Sequence, residues 1–343
     1  MFLLWVIVPI LAWIVNVFYI HYKLSLFIPA IPSIIVTAVI MIPAIRMTST
    51  YTMCLYHFVV ISWIIDLINL FIKNNVWQML YKYSVIPFVL MCMVIAYGFY
   101  NMNHVTRHEY NLNAKLSRSY KIILVSDMHY GISLNKEELH SVVERINEEK
   151  ADLLLLGGDI FDESTTRTGA KEAIDELSKI NTKYGSYYVY GNHDKQLYTN
   201  KPVYTPQELS TYMENKNIHV LEDEVVSIND EIDLIGRKDQ SDSNRKAIDT
   251  LPIHKQKYTI VLDHQPVDYQ INKKAGVNLD LSGHTHAGQI FPIGLLNKLL
   301  PTTGQYIGYK RIGHFEAVVT SGIAGWGYPI RTEGHSEYAV IKI

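Results

Sequence analysis

The sequence predicts two fold classes in tandem: a four-helix transmembrane region over residues 1–102 and an α/β domain over residues 120–343, joined by a linker at 103–119. Charge is the first reason for this division. The chain carries 31 Lys and Arg and 33 Asp and Glu, yet only Lys23, Arg46, Asp66, Lys73 and Lys82 precede residue 103. A stretch so poor in charge suits hydrocarbon, whereas the remainder has the composition of a water-soluble domain with one substantial core. Periodicity is the second reason. Beyond residue 120, short apolar runs alternate with segments patterned at helical spacing.

The N-terminal part divides into apolar stretches at about 1–20, 24–45, 51–72 and 83–100. Each is near the ~20 residues that cross a hydrocarbon core as a helix. The chain start lacks the basic residues of a cleaved signal peptide, so the first stretch is expected to stay. Tyr19, Tyr22, Trp77, Tyr81 and Tyr83 suit headgroup depth, and Pro9, Pro29, Pro32, Pro43 and Pro87 are tolerated in membrane helices. Asp66, the one acid in a span, is expected near a helix end where it reaches the interface. Four crossings put both chain ends on one side. Arg46, Arg107, Lys115, Arg118 and Lys121 then oppose Lys23, Lys73 and Lys82, which leans towards a cytoplasmic domain on a multi-pass protein. Both cysteines, Cys54 and Cys92, lie in apolar stretches, so the soluble part has neither disulfide nor thiolate metal site. A net charge of -2 without a basic stripe gives no reason to expect a nucleic-acid partner, and no protein partner is indicated.

In the soluble part, β-rich runs fall at 121–126, 152–156, 187–190, 232–235, 258–262, 279–281, 316–320 and 338–343. Several are nearly continuous in apolar residues, as in strands buried on both faces. Helices are expected at 136–150, where Leu139, Val142, Val143 and Ile146 recur at helical spacing, and at 168–180, through Ala173, Ile174, Leu177 and Ile180. The order strand–helix–strand–helix, followed by strand-only connections, indicates an α/β domain.

Polar clusters follow the strands, where α/β sheets place their ligands. They are Ser126-Asp127-Met128-His129, Gly157-Gly158-Asp159-Ile160-Phe161-Asp162, Gly191-Asn192-His193-Asp194, Asp263-His264-Gln265-Pro266 and Ser282-Gly283-His284-Thr285-His286. Any one alone is an ordinary turn. Together they bring five of the 14 histidines to strand ends without a cysteine. Oxygen and imidazole donors without thiolate suit Mn, Fe or Zn in a working site better than a structural zinc. The donors outnumber what one tetrahedral ion uses, which points to two divalent ions sharing a carboxylate.

In order and complete, Asp127-x-His129, Gly158-Asp159-x-x-Asp162, Gly191-Asn192-His193-Asp194, His264 and Gly283-His284-x-His286 resemble the motif set of the calcineurin-like metallophosphoesterases. The resemblance covers residues 120–343. Leu281-Ser-Gly-His-Thr-His-Ala-Gly-Gln289 is similar to a bacterial membrane-associated branch, in which Gly rather than Ala287 is expected. Pro329-Ile330-Arg331 also fits, whereas Thr332-Glu333-Gly334-His335 departs from the pattern. The resemblance implies two packed mixed β-sheets flanked by helices, an α+β sandwich. It implies one metal held by Asp127, His129, Asp159 and His286, and another by Asp159, Asn192, His264 and His284. His193 would stand near the leaving oxygen, with Asp162 and Asp194 orienting imidazoles or His193.

The activity so implied is hydrolysis of phosphomonoester, phosphodiester or pyrophosphate bonds by hydroxide formed from water at the ions. A metal-binding but catalytically silent membrane sensor is the alternative, and the complete residue set with His193 argues against it. A four-helix transporter is disfavoured because only Asp66 is ionisable in the spans. Arg237 and Arg331 are candidates for reaching a substrate phosphate. Residues 290–300 form an apolar run directly after His286, read either as strand and loop packed on the core or as a loop dipping into the membrane interface. The second reading suits a lipid-linked phosphoester substrate.

Overall fold

Residues 2–45, 49–301 and 303–343 are described in the computed structural model; Met1 and Arg46, used in the membrane reading above, lie outside them. The chain forms two units, Met1–Phe99 and Tyr100–Ile343.

The first unit is helical: α1 (Phe2–Ser25), α2 (Ala30–Met41), a 3-10 turn at Pro43–Ile45, α3 (Thr50–Asn69), α4 (Asn75–Lys82) and α5, which begins at Val85 and ends at Asn103. Among the described residues two helices, α3 and α5, are long and apolar enough to cross a membrane. Their large apolar side chains face outward, among them Trp63, Ile64 and Leu67 on α3 and Phe88, Met93 and Tyr97 on α5. Such exposure inverts the pattern of a soluble core. The expected span at 24–45 is broken. α2 has 12 residues, about 18 Å of helix at 1.5 Å per residue, short of a ~30 Å hydrocarbon core. Pro29 bounds it and Pro43, which has no N–H to donate, ends it. Of the four expected spans, two helices of sufficient length and apolarity are found among the described residues, and the four-helix region is not reproduced. Asp66 is paired: Lys23 Nζ lies 2.6 Å from one oxygen and the Tyr19 hydroxyl donates to the other at 2.8 Å.

The second unit holds β1 (Thr106–Asn111), β2 (Lys121–Val125), α6 (Lys136–Glu148), β3 (Leu153–Leu156), α7 (Arg167–Leu177), β4 (Ser186–Tyr188), α8 (Pro206–Glu214), β5 (Ile218–Val220), β6 (Glu224–Ser227), β7 (Ile232–Gly236), β8 (Tyr258–Leu262), α9 (Tyr269–Ala275), β9 (Leu279–Ser282), α10 (Ile293–Leu299), β10 (Gly308–Ile312), β11 (Phe315–Val319) and β12 (Glu337–Lys342). They build two mixed sheets, ordered β1-β12-β2-β3-β4-β5 and β10-β11-β9-β8-β7-β6. Parallel strands β2 to β5 form the heart of one, and β7, β8, β9 and β11 that of the other.

Alternation along each strand explains why both faces are apolar. Ile122 and Leu124 of β2 and Leu153 and Leu155 of β3 meet Leu234, Ile260, Leu262, Leu279 and Leu281 of the second sheet. Their neighbours Ile123, Val125, Leu154 and Leu156 turn the other way, onto Leu139, Val142 and Ile146 of α6 and Ala173 and Ile174 of α7. Each such burial is worth roughly 1.5–3 kcal/mol. Local signals support the helices. Asn135 and Glu138 form a reciprocal capping box on α6, and Thr205 and Glu208 form another on α8.

Residues 106–111, expected in a linker, form β1 and pair in parallel with β12 from Thr106↔Glu337 to Asn111↔Lys342. Leu112, Ala114 and Leu116 then pack on the core between the sheets. β1 escaped the sequence reading because it is an edge strand whose side chains, Thr-Arg-His-Glu-Tyr-Asn, are mostly polar.

Candidate metal centre

Five loops leave the C-terminal ends of β2, β3, β4, β8 and β9, and they converge. Asp127, His129 and His286 form one group of potential ligand atoms lying within 4.8 Å of one another; Asp159, His264 and His284 form a second. Each group draws on both sheets, since Asp127, His129 and Asp159 follow strands of the first and His264, His284 and His286 strands of the second. Asp127, His129, Asp159 and His264 are buried. The Asp159 Oδ2 atom lies 3.2 Å from His264 Nε2 and 3.8 Å from His129 Nε2, so one carboxylate oxygen faces imidazoles of both groups.

Backbone geometry is unusual here. Asp127, His129, Asp159, His284 and His286 all have φ between 42° and 70°, a left-handed conformation that non-glycine residues seldom adopt outside functional sites. Two glycines let the loops close. A Cβ on Gly191 would stand 2.2 Å from Asp159 Oδ1, and one on Gly283 would stand 2.1 Å from Asp127 Oδ2.

The donor set fits divalent cations. His129 Nε2 and His286 Nε2 stand 3.2 Å apart, as do His264 Nε2 and His284 Nδ1. His264 Nδ1 donates to the Gly157 carbonyl at 2.9 Å, which turns its Nε2 inward, towards Asp159. The buried Asn192 Oδ1 has no hydrogen-bond partner, and a buried oxygen without one is costly unless it ligates. Burial, then the charge of His264, presses His284 down to about 4. Burial, then His129 and Arg331, pushes His286 well below the usual imidazole range. Both shifts favour the neutral imidazole, whereas burial is outweighed by Asp159 and Asp127 at His264, which they raise and whose Nε2 proton an ion would have to replace. Burial would raise Asp159, but His264, His129 and His193 outweigh it and hold this carboxyl far down.

His193 is near the groups without joining either. Its main-chain N–H donates to Asp159 Oδ1 at 2.9 Å, its ring lies 5.5 Å from that of His129, and its Nδ1 is 2.8 Å from Glu163 Oε2. Burial alone would lower its pKa, but the Glu163 bond and the Asp159 charge raise it. Asp162 Oδ2 faces His129 Nδ1 at 3.6 Å, while its other oxygen accepts from Ser164 and Thr165. Asp194 does not touch His193. It accepts from the main-chain N–H groups of Asp159, Phe161 and Gly191 at 2.6–2.9 Å, clamping two metal-site loops together. Burial, then the Asp159 charge, raises it to about 6.

The two arginines expected to reach a substrate phosphate are both buried. Arg237 is 2% exposed, lies 2.9 Å from Asp223 and donates to the Lys246 carbonyl. Arg331 is fully buried; it donates to the carbonyls of His286, Ser321 and Ala324 and holds their loops. The sequence pattern placed both after strands or in loops but carried no sign of their burial. Sequence reading also missed Glu163, which has no motif position of its own, and Arg245, which pairs with Asp263 beside His264. Residues 290–300, read either as strand and loop packed on the core or as a loop at the membrane interface, contain α10, whose Ile293, Leu295, Leu296 and Leu299 are exposed.

A family model described as calcineurin-like phosphoesterase matches residues 120–288. A Helicobacter pylori protein named uncharacterized metallophosphoesterase is 34% identical over 238 residues, 67% of this chain and 61% of that protein. The Bacillus subtilis metallophosphoesterase YkuE is 33% identical over 50% of this chain and 59% of its own length. A zebrafish (Danio rerio) protein named transmembrane protein with metallophosphoesterase domain is 29% identical, covering 65% of this chain and 53% of that protein. The chain thus spans about three fifths of the length of the curated relatives it matches.

Proposed function

The chain carries a calcineurin-like metallophosphoesterase domain, and from that premise we propose that it is a membrane-anchored phosphoester hydrolase working with two divalent ions. The observation that carries this reading is the pair of buried acid–imidazole groups facing one shared carboxylate, Asp159, beside an imidazole that belongs to neither. Asp127, His129, Asp159 and His286 would hold one ion. Asp159, Asn192, His264 and His284 would hold the other.

When bound, the ions supply Lewis-acid charge stabilisation at the phosphoryl oxygens and make water more acidic. The chain's own residues do the rest. The Gly157 carbonyl orients His264, and Asp162 lies 3.6 Å from His129 Nδ1, where its charge favours the ring that would ligate. His193 engages Glu163 through Nδ1, so Nε2 is the nitrogen that delivers a proton to the departing oxygen. Burial of the carboxylates keeps the local dielectric low, which strengthens every charge interaction at the site.

We read the substrate as a phosphoester at a membrane surface with an apolar, lipid-linked portion. The support is α10, which starts seven residues after His286 and presents Leu295, Leu296 and Leu299 to solvent at 47%, 51% and 67% exposure, together with α3 and α5, which are long and apolar enough to cross a membrane. A Cβ on Gly288 would stand 2.3 Å from the Gly294 nitrogen, so α10 packs directly on the turn that carries His286.

The decisive measurement uses the full-length protein in detergent, stripped with a chelator. It is assayed on an aryl phosphate and an aryl phosphodiester with and without added manganese. Turnover that appears only with the ion is expected. Metal uptake without turnover of either ester would instead favour a silent sensor, a reading that the retained His193–Glu163 pair opposes.

A further inference from the structure

Buried polar groups dominate the candidate centre, yet one side of it is apolar and open. The rings of Tyr198 and Trp326 flank His193, with centroids 5.1 and 5.3 Å from the imidazole. Tyr198 is 62% exposed and Trp326 37%, and the adjacent Leu197 is exposed as well. Exposed aromatics beside a partly buried imidazole are costly to leave in water unless something covers them.

Neither aromatic rides on a loose loop. Gln289 is buried, and its amide accepts from the Trp326 N–H at 2.9 Å and donates to the carbonyls of Trp326, Tyr328 and Ile330 at 3.1 Å. On the other wall the buried Gln196, two residues before Tyr198, donates to the carbonyls of Asp162 and Thr165 at 2.9 and 3.1 Å. That bond ties the Tyr198 loop to the segment bearing Glu163. Both glutamines sit at positive φ, 51° and 54°, a strain that the surrounding bonds must hold in place. Two such clamps fix two exposed aromatics in front of one imidazole. Contacts made by side chains already held in position lose little freedom on binding.

His193 delivers its proton to the departing oxygen, so whatever lies against its two flanks touches the departing alcohol, not the transferred phosphoryl group. We propose that Tyr198 and Trp326 form the leaving-group subsite and select phosphoesters whose departing alcohol carries an apolar or aromatic body. The inference rests on the phosphoesterase reading and adds the direction in which the substrate lies. A polar alcohol would be desolvated against two ring faces that return few hydrogen bonds. An aromatic ring or an alkyl chain would bury apolar area on both sides. Either body shares the chemistry, and the test separates them.

Three esters of alcohols of similar acidity are compared on the full-length, metal-loaded protein: 2-phenylethyl phosphate, decyl phosphate as monomer, and glycerol 3-phosphate. Each is supplied as the monoester and as its methyl diester, and kcat/KM is measured for wild type, Trp326→Ala and Tyr198→Ala. In wild type at least one apolar alcohol should be favoured over glycerol by about tenfold or more, the scale at which apolar pockets discriminate. Each substitution should shrink that ratio below about threefold, with bound metal unchanged. Phenylethyl above decyl assigns a ring, and the reverse assigns a chain. A wild-type ratio near one, or a ratio that neither substitution moves, overturns this inference alone. No metal-dependent turnover of any ester overturns the phosphoesterase reading and this inference with it.

Discussion

At the residue scale the most informative pair is His193 and Glu163. Asp194 directly follows His193 in sequence, yet it clamps backbone N–H groups while Glu163, thirty positions away, takes the His193 Nδ1. Glu163 is therefore a positioning residue, fixing the tautomer through which His193 acts. His193→Ala should lower kcat by ~10²–10⁴, the range for losing a proton donor, while bound metal, counted by elemental analysis, stays nearly intact. Glu163→Gln should lower kcat about tenfold or more, and by a larger factor on an alkyl ester than on a nitrophenyl ester. A nitrophenolate needs no proton to leave. An equal loss on both esters would reduce Glu163 to a structural role. The proposed ligand residues stood out in the sequence because each is an Asp, Asn or His that follows a strand end. Glu163 did not, since nothing in its spacing distinguishes it from a surface acid. The burial of Arg237 and Arg331 was equally hidden, because a charged residue in a loop reads as solvated until the loops packed over it are known.

At the scale of elements, α10 separates two explanations of one apolar run. A segment that fitted either a packed core or an interfacial loop is a seven-residue helix with its leucines outward. Replacing Leu295, Leu296 and Leu299 together with Ser removes roughly 2 kcal/mol or more of apolar burial per side chain wherever α10 enters lipid. Hydrolysis of a phosphoester presented in vesicles should then fall at least tenfold relative to a soluble aryl phosphate. Equal loss on the two substrates would argue against an interfacial α10. Elements buried on both faces, β2, β3, β7, β8 and β9, were readable as continuous apolar runs. The edge strands β1, β5, β6 and β10 were not, since half-exposed edges need no hydrophobic pattern. The interruption at Pro29 and Pro43 was missed for a related reason: prolines are common in membrane helices, and composition alone does not say which of them ends one.

On the scale of the whole molecule, the two sheets are held by an apolar layer, but at the ends of β2, β3, β8 and β9 that layer gives way to carboxylates and imidazoles from both sides. Without cations, those acids sit in a low-dielectric gap with like-charged neighbours, and burial together with Asp159 already pushes Asp194 up. An ion bound there is a tie between two halves of the fold as well as a reagent. At free ion a thousandfold above its Kd, one site adds about 4 kcal/mol to folding stability. For a domain of this size that is ~8–16 °C in Tm. Calorimetry of the full-length protein with chelator and with graded manganese should show Tm climbing with ion concentration, and a Tm indifferent to the ion would deny the tie. If the tie holds, scarcity of the ion would open the seam to proteases, and the lifetime of the polypeptide itself would record how much metal its surroundings supply.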